Sequence, residues 1–180
     1  MIIEAAYRLV QRDGVAHLTI EGVAREAGLS KGGVLYHFPS KQALVENMIE
    51  TFLASFEHDV RRRIAADTDT YPAGRFLRAY VHASGAGAPA PDDPSAGLIA
   101  ALATDTSLLD PVRHRYAAWQ DQVETDGVER ATATLVRLAA DGLWFADLLD
   151  LAPPLGSFRD EVIAAMLALT RLPQAGVQGE

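Results

Sequence analysis

Residues 19–41 read TIEGVAREAGLSKGGVLYHFPSK, and the reading of this stretch decides the fold. Thr19 is a helix N-cap by type, with Glu21 supplying an acid in the first turn behind it. A short helix therefore begins at Ile20 and ends at Gly28. Ser30 caps a second short helix that runs to about His37, and Pro39-Ser40 breaks it before another starts at Lys41. Gly28 in the turn Ala27-Gly28-Leu29-Ser30 permits the positive φ that joins two short helices at a steep angle. Val23, Ala24, Ala27, Leu29 and Val34 or Leu35 are the candidate core that fixes that angle.

Outward from this stretch the periodicity stays helical, and no run alternates as a strand would. Upstream, Ile2 to Arg12 places Ile3, Ala6, Leu9 and Val10 on one face, and Asp13-Gly14 stops that helix. Downstream, a long helix from Lys41 to about Ala65 carries Ala43, Leu44, Met48, Phe52, Phe56 and Val60. Helices follow at about Ala73 to Ser84 and Ser95 to Thr104, separated by a glycine-, alanine- and proline-rich loop from Gly85 to Pro94. Asp110 as N-cap with Pro111 at the first helical position opens a helix to about Asp126. Another spans Glu129 to Leu149 and is closed by Pro153-Pro154. The ninth starts near Ser157, with Asp160 completing a partial capping box, and fades by Leu172. The expected fold is all-α with about nine helices. It divides into a helix-turn-helix domain over 1–45, a second helical domain over 46–172 and a frayed tail over 173–180.

Composition narrows the class. Of 180 residues 49% are apolar, enough for a core and too many for a disordered chain. There is no cysteine, so no disulfide or thiolate metal site can form, in keeping with a reducing bacterial cytoplasm. The start has neither a basic n-region nor a long apolar h-region, and no apolar run is long enough for a membrane span, so neither a signal peptide nor a membrane partner is expected. The net charge of −8 argues against coating nucleic acid with the whole surface. Yet from Ala27 to Val45 no acidic residue occurs, while Lys31, His37 and Lys41 all fall there. Phosphate contacts are local, and this is the segment that could make them.

The layout of Thr19 to Lys41 is that of a helix-turn-helix, whose second helix lies in the major groove of duplex DNA while the first braces it. Thr19 presents a hydroxyl and free backbone N–H groups to a phosphate. Ser30 and Lys31 open the recognition helix within reach of backbone or base edges. Gly32 and Gly33 each cost an isolated helix roughly 1 kcal/mol relative to alanine, and close approach to the groove explains them better than stability does. Tyr36 and His37 suit phosphate or thymine-methyl contacts, Lys41 a phosphate, and Phe38 the domain core.

These residues resemble the N-terminal domain of the tetracycline-repressor (TetR) family. The resemblance runs through Ile3-Glu4-Ala5-Ala6, Gly14, Leu18-Thr19, Val23-Ala24, Ala27 to Gly32, Tyr36-His37-Phe38, Ser40-Lys41 and Ala43-Leu44, covering about the first 50 residues. Three features depart from the family. Leu35 stands where tyrosine is frequent, Gly33 where threonine is frequent, and the chain opens inside its first helix without the basic lead-in of many members. The departures imply sparser base readout, more reliance on DNA shape, and weaker affinity. The resemblance further implies a homodimer on a palindromic operator, repression, and release by a small effector, hydrophobic or amphipathic from the apolar composition. No cofactor is implied. Phe56, Phe76, Tyr80, Tyr116, Trp119, Trp144 and Phe145 are the candidates for an effector cavity. Val136, Ala139, Ala140, Leu143 and Leu148, with Ile163, Met166, Leu167 and Thr170, are the candidates for a dimer seam, with Gly142 allowing a close crossing.

An enzyme is the competing class. His17, His37, His58, His82 and His114 have no metal-binding spacing, and there is no nucleophile elbow, phosphate loop or dinucleotide fingerprint. Asp147 and Asp150 share a helix face, a commonplace spacing for solvated carboxylates. A third class is an effector-sensing module without DNA binding, to which the three departures would be suited.

Overall fold

The computed structural model describes residues 1–87 and 93–171, which include nine α-helices and no strand. They are α1 (Ile2–Asp13), α2 (Ile20–Glu26), α3 (Lys31–His37), α4 (Lys41–Ala66), α5 (Arg75–Ser84), α6 (Ser95–Thr104), α7 (Leu109–Thr125), α8 (Arg130–Leu149) and α9 (Gly156–Leu169). Short 3₁₀ turns cover Val15–His17 and Thr106–Leu108. The chain forms two compact units, residues 1–55 with 89–115, and residues 56–88 with 116–180. Besides the stretch 1–45, the first unit includes the first part of α4 to Ser55, α6 and the start of α7. Residues 88–92 of the expected loop, and the expected tail over 173–180, lie outside the described residues.

In the first unit, α1 buries Ala5, Ala6, Leu9 and Val10 against α2, whose Ile20, Val23 and Ala24 face it. Leu44, Val45, Met48, Ile49 and Leu53 of α4 complete this core, and Tyr7 donates its hydroxyl to the Met48 carbonyl at 2.6 Å. Of the two alternatives for α3, Val34 is fully buried and Leu35 only partly, while Leu29 of the turn is exposed. A two-turn helix can put only one of two adjacent residues inward, and here the branched valine takes that place.

In the second unit α8 lies against α5 and α9, burying Leu77, Tyr80 and Val81 with Val136, Ala140 and Leu143. The carboxylate of Asp126 accepts the Phe76 and Leu77 amides at 3.0 and 2.8 Å, capping α5 from 49 residues away. Arg159 makes a bidentate pair with the buried Asp147 carboxylate and also donates to the Gly85 carbonyl. Asp147 is therefore a structural partner rather than half of a solvated pair with Asp150.

Two sequence-read caps are corrected. α7 starts at Leu109, ahead of Asp110-Pro111, and the side chain that caps this region is Asp105, which accepts from the Ser107 amide and hydroxyl at the preceding 3₁₀ turn. α9 starts at Gly156 with no side-chain cap, so the Ser157–Asp160 box does not form. Asx turns and capping boxes share the same residue types, and local sequence does not separate them.

Candidate nucleic-acid interface

Local chemistry sets the helix-turn-helix. The Thr19 hydroxyl accepts the Gly22 amide and the Ser30 hydroxyl accepts the Gly33 amide, both at 3.0 Å, as N-cap residues do. Each hydroxyl accepts with a lone pair and keeps its own proton to donate outward. Between the caps, Gly28 adopts φ +68°, a left-handed conformation that an L side chain resists. Ser40 repeats the capping pattern for α4, accepting the Ala43 amide at 3.0 Å.

The face of α3 away from Val34 is bare. Tyr36 is 86% exposed, its ring edge-on to that of His37 at 5.2 Å, so an aromatic pair projects from the helix with no core to explain it. Phe38, half-buried, anchors the helix end. At Gly32 a β-carbon would meet only the Ser30 hydroxyl at 3.9 Å, and at Gly33 only that hydroxyl at 3.4 Å and Leu29 at 4.0 Å. Nothing inside the molecule requires either glycine.

The two lysines do more than expected from sequence. Lys31 pairs with Glu21 of α2, an exposed bridge between the two short helices. Lys41 donates to the Val15 and Ala16 carbonyls at 2.9 and 3.3 Å, tying the start of α4 to the 3₁₀ turn. An ammonium has three donors, so Lys41 keeps one for another acceptor. Local sequence carries no signal for either partner, since both contacts join residues from different elements.

In the second unit, five of the seven aromatic candidates form one cluster. Phe56 stacks edge-on to Tyr80 and tilted on Trp119, both at 5.1 Å; Phe76 adjoins Tyr80, and Tyr116 adjoins Trp119 at 5.0 Å. Trp144 and Phe145 are a separate pair, with Phe145 on the exposed side of α8. A polar chain borders the cluster. Tyr80 donates to Asp141 at 2.6 Å, Arg137 donates to the other Asp141 oxygen and to Gln120, both at 2.7 Å, and its guanidinium lies 5.8 Å from the centre of the Tyr116 ring. Burial, then the Asp141 charge, pushes the Tyr116 phenol up to about 12, and burial drives Tyr80 well above the ordinary phenol range. Burial also raises Asp141 above the usual carboxylate range, against the pull of the Tyr80 hydrogen bond and Arg137.

Most of the seam candidates face inward. Val136, Ala140, Leu143, Met166 and Thr170 are all buried inside the protomer, and Leu148, Ile163 and Leu167 are half-buried. The five buried ones belong to the core of their own chain; of the nine, only Ala139 is exposed. The outward stripes are different. On α8 they are Leu135, Leu138, Gly142, Phe145 and Leu149, and on α9 the exposed Phe158, Ala165 and Leu169 with the half-buried Val162 between them. Both sets run at three- and four-residue spacing, the signature of a helix seam. A β-carbon on Gly142 would touch nothing within the protomer.

Two stretches of the chain each match a known family description. "Bacterial regulatory proteins, tetR family" matches residues 2–48, and "Tetracyclin repressor-like, C-terminal domain" matches residues 74–171. The HTH-type transcriptional regulator TtgR of Pseudomonas putida is 33% identical over 66 residues, 37% of this chain and 31% of that protein. The aligned part thus spans about a third of the length of this curated relative. Among solved structures, a TetR-family member from Streptomyces coelicolor A3, SCO1917, gives a TM-score of 0.70 at 22% identity over 95% of this chain and 96% of that one. The multidrug binding protein EbrR, complexed with malachite green, gives 0.67 at 21% identity over 95% and 96%. Among the described residues no helix is long and apolar enough to cross a membrane. With its DNA-binding helix-turn-helix and its C-terminal helical domain, the chain belongs to the TetR family of bacterial transcriptional regulators.

Proposed function

We propose that this regulator is a homodimeric repressor that grips a palindromic operator through α3 and lets go when a small hydrophobic or amphipathic effector binds the second unit. The observation that carries the DNA-facing part is the bare surface of α3. Tyr36 and His37 project from it, and two glycines there have no packing role. Thr19, Ser30, Lys31, Gly32, Gly33, Tyr36, His37 and Lys41 are the proposed contacts. The hydroxyls and the remaining Lys41 donor serve phosphates, and the glycines let the backbone approach the groove floor.

A two-fold dimer would place two such helices about one DNA turn apart, roughly 34–36 Å. The apolar stripes of α8 and α9 supply a self-complementary surface for it, with Gly142 at the crossing. The effector reading rests on the aromatic cluster of Phe56, Phe76, Tyr80, Tyr116 and Trp119, bordered by Asp141 and Arg137. EbrR, similar in fold, is described as a multidrug binding protein and holds malachite green. Helix α4 is continuous from Lys41 to Ala66, beginning in the first unit and ending in the second, and is the element that can carry the signal. A coupling of roughly 1–3 kcal/mol is typical of such systems.

The test is a binding selection from sheared genomic DNA of the source organism, run with the wild type and Tyr36→Ala. Enrichment of one short inverted repeat by the wild type alone is expected. If the folded wild type enriches nothing, the chain is an effector sensor without an operator. A second arm adds aromatic amphipaths to the selected complex, and unchanged operator affinity with every bound compound would overturn release.

A further inference from the structure

The second unit holds another cavity, built from polar groups and lying apart from the aromatic residues. It is an open cleft of about 470 Å³, and its charged wall is Arg63, Asp67, Asp69, Arg78, His82 and Arg171. Three guanidinium groups against two carboxylates leave this wall one positive charge. The imidazole of His82 registers that sign. Its basicity is lowered by burial first and then by Arg63, with Arg171 and Arg78 acting the same way and Asp67 opposing.

Arg78 is the unusual member. Only 4% of it is exposed, and an arginine so buried ordinarily has every donor matched. Its Nη1 donates to the Ala73 carbonyl at 2.6 Å, and its Nη2 to Asp67 and the Tyr71 carbonyl, both at 3.1 Å. Its Nε is shut off from solvent and has no hydrogen-bond partner among the described residues. The nearest carboxylate oxygen, Asp69 Oδ2, is 3.6 Å away, beyond hydrogen-bond reach. That oxygen is already taken by Arg171, at 2.6 and 3.0 Å.

The remaining carboxylate oxygens are committed as well. Asp69 Oδ1 accepts the Tyr71 amide, and Asp67 Oδ1 accepts the Asp69 amide. Both aspartates are held in the 67–71 turn by these amides, and the second Asp67 oxygen already accepts from Arg78 Nη2. Arg63 gives its Nε to Asp59, which lies outside the wall. The cavity wall therefore includes a buried arginine whose Nε has a 3.6 Å ion-pair contact with Asp69 but no hydrogen bond, in a wall of net positive charge. A buried guanidinium without its full set of hydrogen bonds favours an added acceptor on the same side chain.

We propose that this cavity is a second ligand site, which takes the oxyanion group, carboxylate or phosphate, of a small metabolite between Arg171 and Arg78. One Asp69 oxygen serves Arg171 and falls short of Arg78 Nε; an oxyanion has oxygens for both. Arginine suits the task, since its planar fork matches carboxylate and phosphate geometry. The site shares no side chain with the aromatic cluster, so it neither needs nor replaces the effector proposed above, and its test needs no DNA.

The experiment titrates the full-length protein with sodium phosphate and, separately, sodium acetate, holding ionic strength constant with sodium chloride. Calorimetry reads binding, and nitrogen-15 spectra follow the Arg78 Nε–H resonance. Saturable binding of at least one anion is expected, with the Arg78 resonance moving along the same isotherm and the His82 titration midpoint rising. Which anion binds assigns the group. Arg171→Gln removes an exposed side chain, so the fold survives, and the affinity falls about tenfold, as loss of one charge-assisted bond implies. An Arg78 resonance unmoved by either anion beyond chloride overturns the proposal. So does equal binding by Arg171→Gln, which would mean an adventitious ion only.

Discussion

Gly97 of α6 and Val10 of α1 approach so closely that a β-carbon at position 97 would collide with Val10 Cγ1. No side chain larger than hydrogen fits there without movement, and Val10 is itself buried. Gly97→Ala is therefore an overpacking substitution, expected to cost about 1–3 kcal/mol in urea denaturation. In a Val10→Ala background the clash disappears, and the cost of Gly97→Ala should shrink by about 1 kcal/mol or more. Equal costs in the two backgrounds would show that α1 and α6 do not meet as described.

Glu21 holds Lys31 at the surface of the helix-turn-helix, and its own charge faces the proposed phosphate side. The pair is exposed on both sides, so breaking it costs the fold little. Glu21→Gln should tighten operator binding about two- to fivefold at low salt, with the gain shrinking as salt rises. Weaker binding would mean that Glu21 positions Lys31 productively rather than competing for it.

Tyr80 and Asp141 make a buried bond of 2.6 Å. In Tyr80→Phe the carboxylate loses a donor, which should cost about 1–3 kcal/mol near neutral pH. The pH dependence follows from the raised Asp141 pKa. A carboxyl whose folded pKa exceeds its unfolded value contributes stability below the unfolded value and loses it as pH rises through the folded one. Removing the hydroxyl raises the folded pKa further, so the variant should be nearest wild type in mild acid and fall behind between there and neutrality. A penalty independent of pH would place the loss in packing instead.

The α8 and α9 stripes separate assembly from folding. Leu138→Arg with Phe158→Arg alters two exposed residues, so the helix content should persist. Sedimentation should show a dimer for the wild type and a monomer for the variant, and operator affinity should fall at least about a hundredfold through loss of paired half-sites. Val136→Arg, inside the protomer, should unfold the second unit outright. A dimer that survives both exposed charges would move the seam elsewhere.

How much of this was legible in the sequence depended on how local the chemistry was. Thr19, Gly28 and Ser30 act within three residues of themselves, and the helix-turn-helix followed from them directly. Helices α8 and α9 were legible but their outward faces were not. α8 is apolar on two opposite sides, Val136-Ala140-Leu143 and Leu135-Leu138-Phe145, and periodicity alone cannot tell which side meets α5. Long-range partners left no trace at all. The Lys41 tie to Val15, the Asp126 cap on α5 and the Arg159–Asp147 pair join segments whose proximity only the fold creates.

The central claim is that the α3 face binds operator phosphates and bases. The most direct measurement is the affinity of the wild type for its selected duplex between about 50 and 200 mM salt, beside Tyr36→Ala. A fall of roughly a hundredfold or more across that range is expected, because several phosphate contacts release counterions together. Tyr36→Ala should bind more weakly at every salt concentration. Absence of saturable binding at either end, or a Tyr36→Ala curve that overlays the wild type, would contradict the assignment of this face to DNA.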